Sequence, residues 1–327
     1  MGRGHSQGSA SHRLADVARR KPIYVESLIN APIEALWKAT QEPTLHERWD
    51  VRFGQIEHLT RDDGEAQRFR YATTVAPGVT IAGTGESLGD RDRPDGTRWS
   101  GLKFWASDRR SIIDAGAGYW RYVPVADGVR FLTRYDYRPR WGTIGDQVDR
   151  WLFRPLFGWA TAWSFDRLRI WLEDGTAPEV SRNLAIGHAS ATSAVAGTWI
   201  YHGLIPKLLM ADPSEQVFWR SLGFSGGAAR TLVRLTGIPE VAMGVATAVC
   251  ANRRWPFVAT IVAMPALAAG AIASERRLWA RAFNPVSLNA AMVALAAVAL
   301  ATHNGRPSGR RPLRTAPDSQ PEVGALP

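Results

Sequence analysis

The stretch NLAIGHASATSAVAGTWIYHGLIPKLL, residues 183–209, decides how this chain is organised. It carries no acidic or basic side chain until Lys207. A helix crosses the hydrocarbon core of a bilayer with about 20 mostly apolar residues, and this stretch is long enough. Three more apolar stretches follow, at 232–251, 255–273 and 282–302. The first of these holds only Arg234 and Glu240 as charged residues, and the other two hold none. Arginines punctuate the connections between them. The pattern predicts a membrane region with about four transmembrane helices. Trp199, Tyr201, Trp255 and Trp279 lie within or beside the stretches, where amphipathic rings favour headgroup depth. Asn252-Arg253-Arg254 is a tight turn that makes the second and third stretches an antiparallel pair.

A charge at the centre of a membrane helix costs about 2.5–3.5 kcal/mol, so ionisable groups in these stretches need partners. Lys207 ends the first stretch and Glu240 lies near the start of the second. In a hairpin those ends share one membrane face. The expectation is a Lys207–Glu240 pair, with His202 just over one turn away. Such a cluster serves either as an interfacial ion pair or as a polar site for a ligand, a proton or a quinone headgroup. His188 and His303 also end on a common face, but their terminal positions argue against a haem.

Upstream of residue 183 the composition changes. Ile23 to Ile29 alternates as a strand. Asn30-Ala31-Pro32 breaks it, and Pro32 fits a helix start. Residues 33–40 and 45–50 read as two short helices. Further strands are expected at 54–60, 67–75, 79–88, 98–106, 109–115, 118–125 and 129–138, with Asp95-Gly96 and Asp127-Gly128 as hairpin turns. In the last strand Val129, Phe131, Thr133, Tyr135 and Tyr137 alternate with Arg130, Arg134, Asp136 and Arg138. One antiparallel sheet with a wet and a dry face accounts for this. A long helical stretch from Gly145 to Leu172, kinked at Pro155, closes the domain. Its apolar stripe is Val148, Leu152, Leu156, Trp159, Trp163 and Ile170. Tryptophans and arginines crowd this stretch, a mixture suited to a membrane interface.

The net charge is +10 and the isoelectric point about 10.3. In the N-terminal half the arginines interleave with acids, which disfavours nucleic acid. Between and after the apolar stretches they suit an anionic membrane surface. The one cysteine, Cys250, excludes an intrachain disulfide. No nucleophile elbow, phosphate loop or metal-ligand motif is present. The reading therefore leans toward binding rather than catalysis, with no metal and no cofactor expected.

Two family resemblances rest on these residues. Ala31-Pro32-Ile33-Glu34, then Trp37 and Trp49-Asp50, in the order strand, two helices, strands and long helix, resemble the START-like helix-grip fold of the SRPBCC superfamily over 22–174. That resemblance implies an α+β helix-grip domain, a curved antiparallel sheet around a long C-terminal helix, with an apolar cavity for a lipid or another hydrophobic small molecule. A minority of that superfamily are polyketide-type cyclases or hydrolases. Phe69, Tyr71, Trp105, Phe131, Tyr135 and Trp163 are the candidate cavity residues, unless they simply pack the core. Separately, Tyr201-His202-Gly203-Leu204-Ile205-Pro206-Lys207 with Gly237-Ile238-Pro239-Glu240-Val241-Ala242-Met243-Gly244 resembles the DoxX-like family of four-helix membrane proteins, over about 185–303. Some of its members are linked to quinone reduction, which implies a quinone-type ligand and a redox partner protein as an alternative to lipid binding.

The expected organisation is a disordered leader (1–21), a START-like domain (22–174), a linker (175–182), an all-α transmembrane four-helix bundle (183–303) and a disordered basic tail (304–327). The leader has no apolar run of the kind a secretory signal needs. The expected location is the bacterial-type inner membrane, with both termini cytoplasmic.

Overall fold

The computed structural model describes residues 21–317, apart from Asp63, Pro77 and Phe283. The expected leader, except Lys21, and the last ten residues of the expected tail lie outside the described residues. Two compact units divide the chain between Ser181 and Arg182, and the first unit resumes at Pro307.

The first unit is built on seven strands: β1 (Ile23–Ile29), β2 (Gln55–His58), β3 (Arg68–Ala76), β4 (Val79–Asp92), β5 (Arg98–Trp105), β6 (Ile113–Val125) and β7 (Gly128–Pro139). All neighbours are antiparallel, in the order β1-β7-β6-β5-β4-β3-β2. Helices α1 (Ile33–Gln41) and α2 (Pro43–Trp49) follow β1. The strands expected at 109–115 and 118–125 are one strand, β6. Its Gly116 and Gly118 look like breakers in a linear reading, but each faces an aromatic across the sheet, Gly116 opposite Phe104 of β5 and Gly118 opposite Tyr135 of β7. Phe69 and Tyr71 of β3 likewise lie over Gly85 and Gly83 of β4, so closely that a Cβ would meet either ring within 2.3 Å. Rings over cross-strand glycines let a sheet bend without leaving a void.

The core lies where this sheet meets a long helix. Phe131 and Phe165 are fully buried and stacked, 4.4 Å between ring centres. Trp49 is also fully buried, and its Nε1 donates to the Ala39 carbonyl at 2.9 Å. The Tyr122 hydroxyl meets Thr40 Oγ1 at 2.7 Å, which fastens α1 to the sheet.

The closing helix corrects the expected stripe. It consists of α3 (Gly142–Val148), a π-helical turn (Asp149–Phe153) and α4 (Arg154–Asp174). Ile170 is buried and Trp163 half-buried, but Val148, Leu152, Leu156 and Trp159 are exposed. The inward face carries Thr161, Ala162, Ser164, Phe165 and Leu168 instead. Helical period tells which residues share a face but not which face meets the core, and here the stripe from Val148 to Trp159 lies outward on both sides of the π turn.

The basic tail is also corrected over its described part. The Leu313 N–H donates to the Glu26 carbonyl and the Glu26 N–H to the Leu313 carbonyl, both at 2.9 Å. Ser308 N donates to Asp166 at 2.8 Å. Strand β1 is an edge with unpaired backbone groups, and Asp166 is a fully buried carboxylate that needs donors. Both are satisfied by residues that read as featureless in the sequence.

The second unit contains most of α5 (Pro178–His202), a π-helical turn (Gly203–Leu209), α6 (Pro213–Ser221), α7 (Gly226–Val249), α8 (Trp255–Ser274), a 3-10 turn (Arg276–Ala280) and α9 (Pro285–Ala301). Helix α5 begins inside the expected linker, which shortens to 175–177. Helices α7 and α8 are long and apolar enough to cross a membrane, while α9 is apolar but has only 17 residues. Only 22% and 17% of the spanning windows of α7 and α8 are buried. Val249 and Val262 are 77% and 68% exposed, unlike the core helices of a soluble domain. The expectation of four spans is thus met for two helices by length and composition.

Phe131→Ala removes the ring that joins sheet to helix. It should lower the stability of the first unit by about 3–5 kcal/mol, read by denaturant unfolding; a loss below about 1 kcal/mol would contradict this packing.

Candidate functional site

Small residues bring α5 and α7 together. Any Cβ on Gly203 would lie 2.6 Å from the Gly237 carbonyl oxygen, and the reverse holds for Gly237 and the Gly203 carbonyl. Gly244 meets the Ala196 carbonyl in the same way. This is backbone-on-backbone packing of the kind small residues permit in membranes. Pro206 has no N–H for the His202 carbonyl. The helix widens there into the π turn, and Met210 N bonds back to the Ile205 carbonyl at 3.0 Å. The widened turn sets Lys207 against α7, where its Nζ donates to both Glu240 oxygens, at 2.6 and 2.7 Å. Both side chains are largely buried. The expected Lys207–Glu240 pair is therefore present.

A cavity of about 960 Å³ opens beside this pair. His202, Lys207 and Glu240 all line it. So does Glu215 of α6, whose carboxylate lies 3.6 Å from Lys207 Nζ. Trp199, Phe218, Trp219, Met264, Leu267 and Met292 give the rest of the wall an apolar character. The Trp199 Nε1 is fixed by Thr260 at 3.1 Å. Glu215 was not anticipated. Asp212-Pro213-Ser214 before it is a helix-start signal, with Asp212 capping Ser214 N at 2.8 Å, but the segment reads as a mere connection between spans. Lys207 with Glu215 and Glu240 can orient an amphipathic molecule by its polar end, and a second ion pair, Arg281 with Glu275, lies elsewhere on the wall.

His188 serves a different purpose. Its Nδ1 is 2.9 Å from the Ala299 carbonyl and its Nε2 3.0 Å from the Ala251 carbonyl. The ring thus lies between carbonyls at the C-terminal ends of α7 and α9, and a neutral imidazole donates to one of them.

The cavity candidates of the first unit differ in burial. Phe131 and Tyr135 are core residues, and the Tyr135 hydroxyl meets Thr161 Oγ1 at 2.7 Å. Phe69 and Tyr71 are half-buried over their glycines, and burial lifts the Tyr71 phenol to about 12. Trp105 is half-buried at the end of β5. Trp163 lies under the Arg167 guanidinium, 5.1 Å from its ring centre.

A buried ionic cluster next to Tyr135 gives no sign in the sequence. Asp50 is fully buried and takes Arg52 Nε at 2.9 Å, Arg52 Nη2 at 2.6 Å and His46 Nε2 at 3.2 Å. The Arg52 guanidinium lies 5.6 Å from the Tyr135 ring centre. Burial opposes ionisation of Asp50, but Arg52 and His46 outweigh it and hold the carboxyl well below the usual range.

The DoxX-like family model matches residues 196–297 of this chain. Over 238 residues the chain is 37% identical to an uncharacterized membrane protein of Bacillus subtilis (strain 168), YndG, with 72% of this chain and 80% of that protein covered. Among solved structures, TTHA0849 from Thermus thermophilus is 17% identical, with 48% of this chain and 99% of that one covered and a TM-score of 0.37. A STAR-related lipid transfer protein from Xanthomonas axonopodis is 17% identical, with 45% and 82% covered and a TM-score of 0.35. Likenesses at such TM-scores carry no argument, and the architecture of the first unit rests on its own strand order.

A carboxyl with a depressed folded pKa stabilises the fold above the unfolded value of about 3.9, and that contribution is lost as pH falls toward the folded value. Acid unfolding of the first unit should steepen below about pH 4. Asp50→Asn leaves Arg52 buried without its counter-charge, at a cost of about 3–5 kcal/mol at neutral pH, but flattens the acid limb. Equal acid slopes in both proteins would contradict the cluster's role.

Proposed function

This chain belongs to the family of the Bacillus subtilis membrane protein YndG, and from that premise we propose that it is a membrane-anchored binding protein for a hydrophobic, lipid-like small molecule. The cavity beside Lys207 and Glu240 carries the reading. Its volume of about 960 Å³ suits a molecule with a substantial apolar part, since ligand sites span about 300–1,000 Å³. The polar end of the ligand meets Lys207, Glu215 and Glu240, and its apolar part lies on Met264, Leu267 and Met292. The sheet domain, with half-buried Phe69, Tyr71, Trp105 and Trp163 among its expected cavity residues, is the alternative place for the same class of ligand.

Four membrane passages complete the proposal: α5 with its π turn, α7, α8 and α9, in a bacterial-type inner membrane with both termini cytoplasmic. A quinone is the second reading, favoured by the His202 ring and the Lys207 ammonium on one wall, which suit a carbonyl headgroup. That reading calls for a redox partner protein.

The test is mass spectrometry of small molecules that co-purify with the full chain in mild detergent, set against Glu240→Gln. A lipid or another apolar molecule should be enriched in the wild type and fall about tenfold in the variant, a loss of about 1.4 kcal/mol. Enrichment of a quinone alone would select the second reading. Equal retention by both proteins would reject the site.

A further inference from the structure

The closing helix of the first unit buries polar side chains beside Phe165, Leu168 and Ile170, and its N-terminal half leaves large apolar ones exposed. Its buried face holds Asp149, Thr161, Ser164, Asp166 and Arg167. Each has a partner: Tyr137 donates to Asp149 at 2.6 Å, Val51 N to Ser164 at 3.1 Å, and Arg167 to the Trp49 and Pro178 carbonyls at 3.1 and 2.9 Å. The outward face holds the large apolar side chains. Ile144 is 73% exposed, Trp151 73%, Leu152 63% and Leu156 55%. Such a contiguous apolar face on a folded unit marks a contact surface.

The charges beside this face identify its partner. Arg150 is exposed, with its guanidinium 5.3 Å from the Trp151 ring centre. The returning tail brings more. Its Gly309 lies against the Trp159 ring so tightly that a Cβ would meet Nε1 at 2.6 Å, and the Ser308 bond to Asp166 fixes the register. Arg310 and Arg314 are then exposed on the tail that runs past Trp159, as is most of Arg311, one Nη of which lies 3.4 Å from Asp166. Tryptophan and leucine flanked by arginine form the composition of a helix lying in the headgroup layer. The same chain carries the apolar helices α7 and α8, so a bilayer is the surface to which it is tethered.

We propose that the outward face of α3, the π turn and α4 is a docking surface for an anionic lipid bilayer. Its apolar side chains enter the headgroup–acyl boundary, and the tail arginines meet lipid phosphates. Each arginine near such a surface contributes about 1 kcal/mol.

The test is collisional accessibility of nitroxide labels on the full chain in vesicles. Single cysteines replace Trp151, Leu156 and Asp127 on a Cys250→Ser background, with Asp127, exposed in the β6–β7 turn, as the aqueous control. In phosphatidylcholine–phosphatidylglycerol vesicles the labels at 151 and 156 should favour oxygen over a water-soluble nickel complex, while the label at 127 favours nickel. In phosphatidylcholine alone, or with Arg310, Arg311 and Arg314 changed to Gln, nickel accessibility at 151 should rise at least about fivefold, the ratio that 1 kcal/mol represents. Water-like labels at 151 and 156 in both vesicles would overturn the proposal. Shielding from both reagents would also overturn it, because it reports contact with protein. An oxygen-rich signal indifferent to lipid charge would overturn the anionic specificity.

Discussion

A backbone-to-backbone contact governs the second unit. Gly203 and Gly237 let α5 and α7 approach until a methyl group would collide with a carbonyl oxygen. Glycine in a helix interior costs about 1 kcal/mol relative to alanine, and here dispersion between closely packed backbones offsets it. Pro206 then opens the π turn, and Lys207 finds Glu240 across the shortened gap. A charge that would be costly in hydrocarbon becomes one half of a doubly hydrogen-bonded pair. The cavity opens beside that pair, so its polar end and its apolar wall are both consequences of the glycine contact.

The first unit obeys a different constraint. Rings that lie flat across a sheet need glycines opposite them, and the pairs of Phe69 with Gly85 and Tyr71 with Gly83 supply them. Its closing helix then buries hydrogen-bonded polar groups beside Phe165 and Leu168 and leaves Trp151, Leu152 and Leu156 outside. Buried polar groups are tolerable only when satisfied. The fold meets that condition with Tyr137, with backbone groups around Trp49 and with the returning tail at Asp166.

Much of this was legible in the sequence. Period-two alternation located β1, β3 and β7; in β7 it marks the buried face, whereas β1 is buried along nearly its whole length. The Lys207–Glu240 pair was readable because the two ends of a membrane hairpin share a face and because unpaired charges there are expensive. The features that escaped reading involve geometry that a linear pattern does not carry. Helical period groups Val148, Leu152, Leu156 and Trp159 but does not say that their shared face points away from the core. The β6 glycines look like breakers until their cross-strand aromatics are seen. Asp50 and Arg52 look like surface charges until the core closes over them. The tail residues 308–313 gain structure only from an edge strand and a buried carboxylate distant in sequence. The cavity residue Glu215 sits on a short helix that hydropathy treats as a connection.

The central claim is that close packing at Gly203 creates the Lys207–Glu240 pair. A double-mutant cycle tests it most directly, with Gly203→Leu and Glu240→Gln alone and together, each followed by unfolding of the full chain in mixed micelles. If the helices must touch for the pair to form, Glu240→Gln should cost much less in the Gly203→Leu background than in the wild type, with a coupling of at least about 1 kcal/mol. Additive losses, with Glu240→Gln equally costly in both backgrounds, would show that the pair forms without the glycine contact and would contradict the account.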